Sequence, residues 1–277
     1  MAVMKFRGKS IDFSTPKVMG VVNVTPDSFY DGGKIKDDRT LLSQAERMLS
    51  EGADFLDVGG YSSRPGADFV SVDEERRRAI PAIEAILKKF PETIVSVDTF
   101  RAAIASDAIA AGAGMINDIS SGDDDPEMFE TVARLHVPYI AMHKQGNSKT
   151  MQKSPTYRDV VSEIFEYLNG KVLKLRAQGV QDVIIDPGFG FGKTLEHNYT
   201  LLKHLARFKE IGAPILVGVS RKSFIQKIVG STAEGALYGT IAANVIALQN
   251  GADILRVHDC LPARHAIAIV SQVRKMP

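Results

Sequence analysis

The chain has 277 residues, 44% of them hydrophobic and 24% charged, with a formal net charge of +1. It can bury a large core, and its near-neutral balance gives no basic field for nucleic acid or an anionic membrane surface. Its single cysteine, Cys260, cannot form an internal disulfide, which fits a reducing compartment. Residues 1–7 carry no apolar signal-type stretch, and no run approaches the roughly 18 apolar residues of a membrane span, so a cytoplasmic location is expected.

Segment 5–13 reads as a short hairpin or plug. A unit then recurs along the chain: helix, glycine, short apolar run, polar residues. The first run, 18–22, ends in Asn23, and 55–58 contains Asp57 and leads into Gly59-Gly60. The runs at 94–97, 115–116 and 139–142 end in Asp98, Asn117-Asp118 and His143. The last three, at 183–185, 215–219 and 254–257, end in Asp186, Ser220-Arg221-Lys222 and His258. Helical patterns fill the gaps, as at 38–50, 73–90, 157–178 and 234–249. Gly52, Gly112, Gly179, Gly212 and Gly251 stand at helix-to-strand junctions, where a left-handed residue ends a helix.

Strands alternating with helices imply parallel pairing and right-handed crossovers. Continuously apolar strands imply that both sheet faces are covered. Eight such units predict an α/β fold, a (β/α)8 TIM barrel with the active site at the C-terminal ends of the strands, in one domain over 1–277. A doubly wound open sheet is the competing fold, but no dinucleotide or switch-point signature follows the first strand. In a barrel all eight loops face one cavity, which explains why polar residues follow nearly every run.

The loops carry the candidate chemistry. Asn23-Val24-Thr25-Pro26-Asp27-Ser28-Phe29 and the residues through Gly33 are too polar for core and read as a mobile lid, against a plain solvated loop. Tyr61-Ser62-Ser63-Arg64-Pro65 offers hydroxyls and a guanidinium that grips anions bidentately. In Asp186-Pro187-Gly188-Phe189-Gly190-Phe191-Gly192-Lys193-Thr194, Pro187 stands where a phosphate loop needs its first glycine, so triphosphate binding is rejected. Asp186, beside apolar surface, needs partners, and a guanidine-like heterocycle edge would supply two N–H donors.

Lys222 and Arg221 begin a helix, where cations oppose the macrodipole and an anionic ligand would compensate. Lys222 as a Schiff-base lysine stays open. Arg256 and His258 share one strand face at the place where barrels often bind phosphate. His143 has no second ligand at zinc spacing. A hard cation held by Asn23 and phosphate oxygens is the natural metal reading.

As a set, Asn-Val-Thr-Pro-Asp-Ser-Phe, Ser-Arg-Pro-Gly-Ala, Ser-Val-Asp-Thr-Phe, Ile-Asn-Asp-Ile, Asp-Pro-Gly-Phe-Gly-Phe-Gly-Lys, Ser-Arg-Lys-Ser-Phe and Arg-Val-His-Asp resemble the dihydropteroate synthase family from about Val18 to His258. The resemblance implies a Mg2+-assisted condensation. In it 4-aminobenzoate displaces diphosphate from 6-hydroxymethyl-7,8-dihydropterin pyrophosphate, giving 7,8-dihydropteroate. It also implies sulfonamide inhibitors and a homodimer packed through the later helices.

By the family pattern, Asp98, Asn117, Asp186, Phe191 and Lys222 bind the pterin. Asn23, Arg64, Arg256 and His258 hold diphosphate, with Asn23 the metal ligand. Phe29, Ser63, Pro65, Phe191, Lys222 and Ser223 surround 4-aminobenzoate, and Asp27 faces the developing pterin cation. The catalytic set would be Asp27, Arg64, Asp98, Asp186, Lys222, Arg256 and His258.

Two motifs depart from the pattern: Tyr61 and Ser63 replace a glutamate and a threonine, and Lys144 follows His143 where methionine is usual. The chemistry needs no triad and no covalent enzyme intermediate. A corrinoid-linked pterin methyltransferase, a non-catalytic pterin-binding paralogue and an aldolase using Lys222 are the alternatives.

Overall fold

The structure, a computed structural model, describes residues 3–24, 34–61, 69–146 and 155–276. The chain opens with an antiparallel hairpin of β1 (Val3–Phe6) and β2 (Lys9–Asp12). Its turn residues Arg7 and Gly8 both have positive φ, +47° and +81°, the tight-turn geometry that matches strand twist.

Eight parallel strands follow: β3 (Lys17–Asn23), β4 (Phe55–Gly59), β5 (Ile94–Asp98), β6 (Met115–Asp118), β7 (Tyr139–Met142), β8 (Val183–Asp186), β9 (Leu216–Val217) and β10 (Ile254–Val257). Their order is β8-β7-β6-β5-β4-β3-β10-β9, and a parallel bridge between Ile185 and Ile215 joins the two outer strands. The sheet is thus a nearly closed barrel, the expected TIM-barrel arrangement. Strand β9 is shorter than the 215–219 run. After Val217 the chain passes Gly218, where an added Cβ would lie 3.8 Å from the Arg256 Cβ and 4.0 Å from Lys222 Nζ. It then turns at Val219, whose carbonyl accepts from Lys222 N–H at 3.2 Å.

The helices that wrap the barrel are α1 (Lys34–Ser50), α2 (Val72–Lys89), α3 (Ala102–Ala110), α4 (Met128–Leu135), α5 (Val160–Ala177), α6 (Leu195–Lys203), α7 (Ser223–Val229), α8 (Leu237–Gln249) and α9 (Cys260–Arg274). Gly52 and Gly251, at φ +91° and +99°, end α1 and α8, and the other three junction glycines share that sign. Two of these junctions, Gly52-Ala53-Asp54 and Gly251-Ala252-Asp253, also tie strands together. The Asp54 carboxylate accepts from Val18 N–H at 2.8 Å and the Asp253 carboxylate from Ile215 N–H at 2.7 Å. None of the described helices is long and apolar enough to cross a membrane.

The alternation of a strand divides the core in two. Outward residues such as Val18, Leu56, Val95, Ile116, Ile185 and Leu255 pack against the helices. Inward residues Met19, Phe55, Ile94, Met115, Ile140, Ile184, Leu216 and Ile254 fill the lower barrel, together with Met4, Phe6 and Phe13 of the N-terminal hairpin. The hairpin is a bottom plug, and Phe6 packs on Phe55 with ring centroids 5.2 Å apart.

Candidate functional site

Two residues up each strand, the inward positions change character. Asp57, Asn117, Asp186 and Arg256 stand one step above Phe55, Met115, Ile184 and Ile254. Asp98 stands a step higher on β5. Arg256 bridges two carboxylates, with Nε donating to Asp57 at 2.6 Å and Nη2 to Asp98 at 2.7 Å. Asn117 Nδ2 donates to the same Asp57 oxygen at 2.9 Å.

These charges sit in a low-dielectric mouth, and their pKa values shift accordingly. Burial pushes Asp98 up to about 7, against the pull of Arg256 and with help from the like charges of Asp57, Glu75 and Asp118. Burial also works against charge on Arg256, but Asp57 and Asp98 more than offset it and raise its pKa.

On the β8 side, burial raises the pKa of Asp186 while Lys222, the Gly188 N–H, Lys193 and Arg256 oppose the shift. Gly188 N–H donates to Asp186 Oδ1 at 2.7 Å. Lys222 donates to the Phe189 carbonyl, and its Nζ stands 4.7 Å from the centre of the Phe191 ring. Burial lowers Lys222 to about 8, with Asp186 and Asp98 favouring its charge and Arg256 opposing it. Asp186, Lys222, Arg256 and Asp98 therefore share one mouth. Ser223 is the exposed first residue of α7.

The cations at the α7 start are only partly available for an anion. Arg221 is bound bidentately by Asp259, at 2.8 and 2.9 Å, and donates to the carbonyls of Ala233 and Glu234, so it is structural. Lys222 is the cation aimed at the mouth. His258 Nδ1 lies 3.0 Å from Ser220 Oγ, which orients the imidazole. Asn23 ends β3, half-buried at the rim, paired in register with Gly59. Among the described residues no group of three or more His, Cys, Asp or Glu could hold a metal. One neutral amide oxygen suits a hard cation whose remaining ligands are phosphate oxygens and water.

Asp27, Phe29, Ser63, Arg64 and Pro65 lie outside the described residues. Tyr61, where the family pattern has an acid, packs edge-on against Phe100 at 5.3 Å and under the Arg101 guanidinium at 5.7 Å. Arg101 is itself paired with buried Glu75 at 2.5 Å. Lys144 pairs with Asp124.

The pterin binding enzyme family matches residues 19–258. Dihydropteroate synthase from Escherichia coli (strain K12) is 44% identical over 266 residues, covering 95% of this chain and 94% of the relative. Its counterpart from Haemophilus influenzae is 42% identical, covering 91% of each. The chain belongs to the pterin-binding enzymes, among the dihydropteroate synthases. The solved structure of the Yersinia pestis dihydropteroate synthase with a sulfonamide drug superposes with a TM-score of 0.93 at 42% identity, covering 99% of this chain and 100% of that one. The Xanthomonas albilineans enzyme in complex with 7,8-dihydropteroate superposes at 0.89 and 38% identity, covering 100% of both.

Asp57, which the sequence places among the rim carboxylates without a role of its own, stands at the centre of the observed cluster. It is fully buried and joins Asn117 to Arg256 by accepting from both. Its signal was present: a carboxylate inside an otherwise apolar run must have a partner, and Arg256 is the facing cation.

Proposed function

We propose that this protein is a dihydropteroate synthase, a transferase that condenses 6-hydroxymethyl-7,8-dihydropterin pyrophosphate with 4-aminobenzoate and releases diphosphate. The observation that carries the reading is the convergence of Asp186, Lys222, Asn117, Asp98 and Arg256 on one barrel mouth, in a chain of this family. A pterin edge presents N–H donors and a ring carbonyl side by side. Asp186 accepts from the donors and Lys222 donates to the carbonyl, with Asn117 and Asp98 on the same wall. The diphosphate lies toward Arg256 and His258, and by the family pattern Arg64 is a further anion ligand.

Arg256 uses two of its five N–H donors on Asp57 and Asp98, and the others remain for phosphate oxygens. Asn23 would hold Mg2+ together with diphosphate oxygens, and the bound ion would supply neutralisation of charge on the leaving group. As the C–O bond loosens, the dihydropterin ring spreads the positive charge. The carboxylates of the mouth and Asp27 stabilise that charge without reorganising. The amine of 4-aminobenzoate is already nucleophilic and attacks from a subsite of Phe29, Ser63, Pro65, Phe191, Lys222 and Ser223, and sulfonamides compete there.

Diphosphate release that requires both substrates is the direct test. No release with both present sinks the reading and leaves a binding-only protein. Asp186→Ala should abolish binding of the pterin substrate in calorimetry, and undiminished binding would remove Asp186 from the pocket.

A homodimer is part of this proposal. Exposed apolar residues line α8 at Tyr238 and Ile246 and α9 at Leu261, Ile269 and Val273, each set at four- or eight-residue spacing. Such stripes on adjacent helices are what a self-complementary interface buries. Sedimentation at micromolar concentration should give twice the chain mass.

A further inference from the structure

Lys193 belongs to the Gly192-Lys193-Thr194 triplet that imitates a phosphate loop, and no step of the reaction uses it. Its side chain is buried within the fold. Nζ lies 2.8 Å from the Gly188 carbonyl, 3.0 Å from the Phe191 carbonyl and 3.3 Å from the His143 carbonyl. It also lies 3.0 Å from His143 Nδ1. A cation removed from water needs such partners. These come from both sides of the 188–191 turn and from the end of the neighbouring strand β7.

The loop has little shape of its own. Gly188, Gly190 and Gly192 are all left-handed, at φ +72°, +85° and +65°, and glycine loses more freedom on ordering than any other residue. It is also pressed flat against β7: a Cβ on Gly188 would stand 1.8 Å from the His143 oxygen, and one on Gly192 2.4 Å from the Gln145 oxygen. The other face of this backbone is the site. There Gly188 N–H meets Asp186, the Phe189 carbonyl meets Lys222, and the Phe191 ring meets the Lys222 ammonium.

We propose that Lys193 is a positioning residue of the pterin pocket: its buried ammonium gathers the inward carbonyls of the β8 loop and the end of β7, and so sets where Asp186, Phe191 and Lys222 stand. The proposal rests on the pterin reading above. In this arrangement His143 is neutral and accepts at Nδ1, with its ring proton on Nε2. Burial and the adjacent Lys193 hold its pKa down at about 2. The Gly-Lys-Thr triplet then has a reason to exist without a phosphate: its lysine binds the protein's own carbonyls.

Lys222, Lys193 and Arg256 face Asp186. Burial pulls Lys193 well below the ordinary lysine value, Lys222 adds to that shift, and Asp186 together with the three carbonyls favours the protonated form. Removing the Lys193 charge raises the Asp186 pKa further, so pterin binding should fail at a higher pH. The test uses full-length Lys193→Met, with folding checked by circular dichroism and the pterin pyrophosphate titrated calorimetrically from acid to alkaline pH. Expected are binding weakened roughly 10-fold, the equivalent of one pKa unit, and an acid limb displaced upward. Native affinity, or weaker binding with an unmoved limb, overturns the proposal.

Failure of the unaltered protein to bind the pterin overturns the functional reading instead, and this one with it. If Lys193→Met does not fold, nitrogen-15 NMR of the native lysines decides. A slowly exchanging Lys193 ammonium coupled to His143 Nδ1 supports the proposal, and a neutral or freely exchanging amine overturns it.

Discussion

Within the barrel, Phe55, Met115, Ile184 and Ile254 lie one inward step below Asp57, Asn117, Asp186 and Arg256. The lower layer is apolar and sealed by Met4, Phe6 and Phe13 from the hairpin. The upper layer holds carboxylates and cations whose pKa values are displaced by burial. The lower layer stabilises because its side chains leave water. The upper layer gives up part of that gain, since burying charges costs more than burying apolar groups of the same size unless they are closely paired. The separation confines the desolvation penalty to the barrel mouth and keeps rigid packing directly beneath.

The comparison breaks first at Phe55. Phe55→Ala should lower stability by about 3–5 kcal/mol in urea unfolding while the folded enzyme keeps a near-native kcat. A tenfold fall in kcat would show that the two layers are not separable. Arg256→Ala tests the upper layer, and its expected loss of ~10²–10³ in turnover, or ~2.7–4 kcal/mol, is that of one preorganised donor. Wild-type diphosphate release by this variant would free Arg256 from the anion site.

A smaller effect lies in the pH profile. Lys222 releases its proton at about 8. With the ammonium as the required form, kcat/KM should fall about tenfold for each pH unit above that value. A profile flat through alkaline pH would mean that the ring carbonyl takes its hydrogen bond elsewhere.

The last effect is on the pH dependence of stability. Burial lifts Asp98 from 3.8 to about 7, so between those values the folded protein holds a proton that the unfolded chain has released. The group's contribution is fully present below 3.8 and is lost as pH rises through about 7. Asp98→Asn should flatten that decline in urea midpoints measured across the window. An equally steep decline would place the proton on another group.

Much of this was readable before any coordinates. Eight apolar runs with helices between them implied parallel pairing, and a polar residue after each run implied a shared rim. Strand ends are easily read because the change from apolar to polar marks where the core stops. The extent of β9 was not, since hydropathy cannot tell a paired residue from one that merely continues the direction of the chain. Arg221 and Lys222, neighbours of the same charge, have different fates. One is clasped by Asp259, 38 positions away, and the other turns into the mouth, a distinction that local sequence does not carry.

The order of residues along each strand, with an apolar side chain below and a charged one above, is local information, and it determined the barrel and the end at which chemistry takes place. Which charges meet was decided only by closure of the sheet. It brought Arg256 on the last strand against Asp57 and Asp98, 199 and 158 positions earlier, and folded Lys193 beneath a loop that its sequence made look like a phosphate cradle. Electrostatic pairing depends on distance in space, and closing the sheet sets that distance.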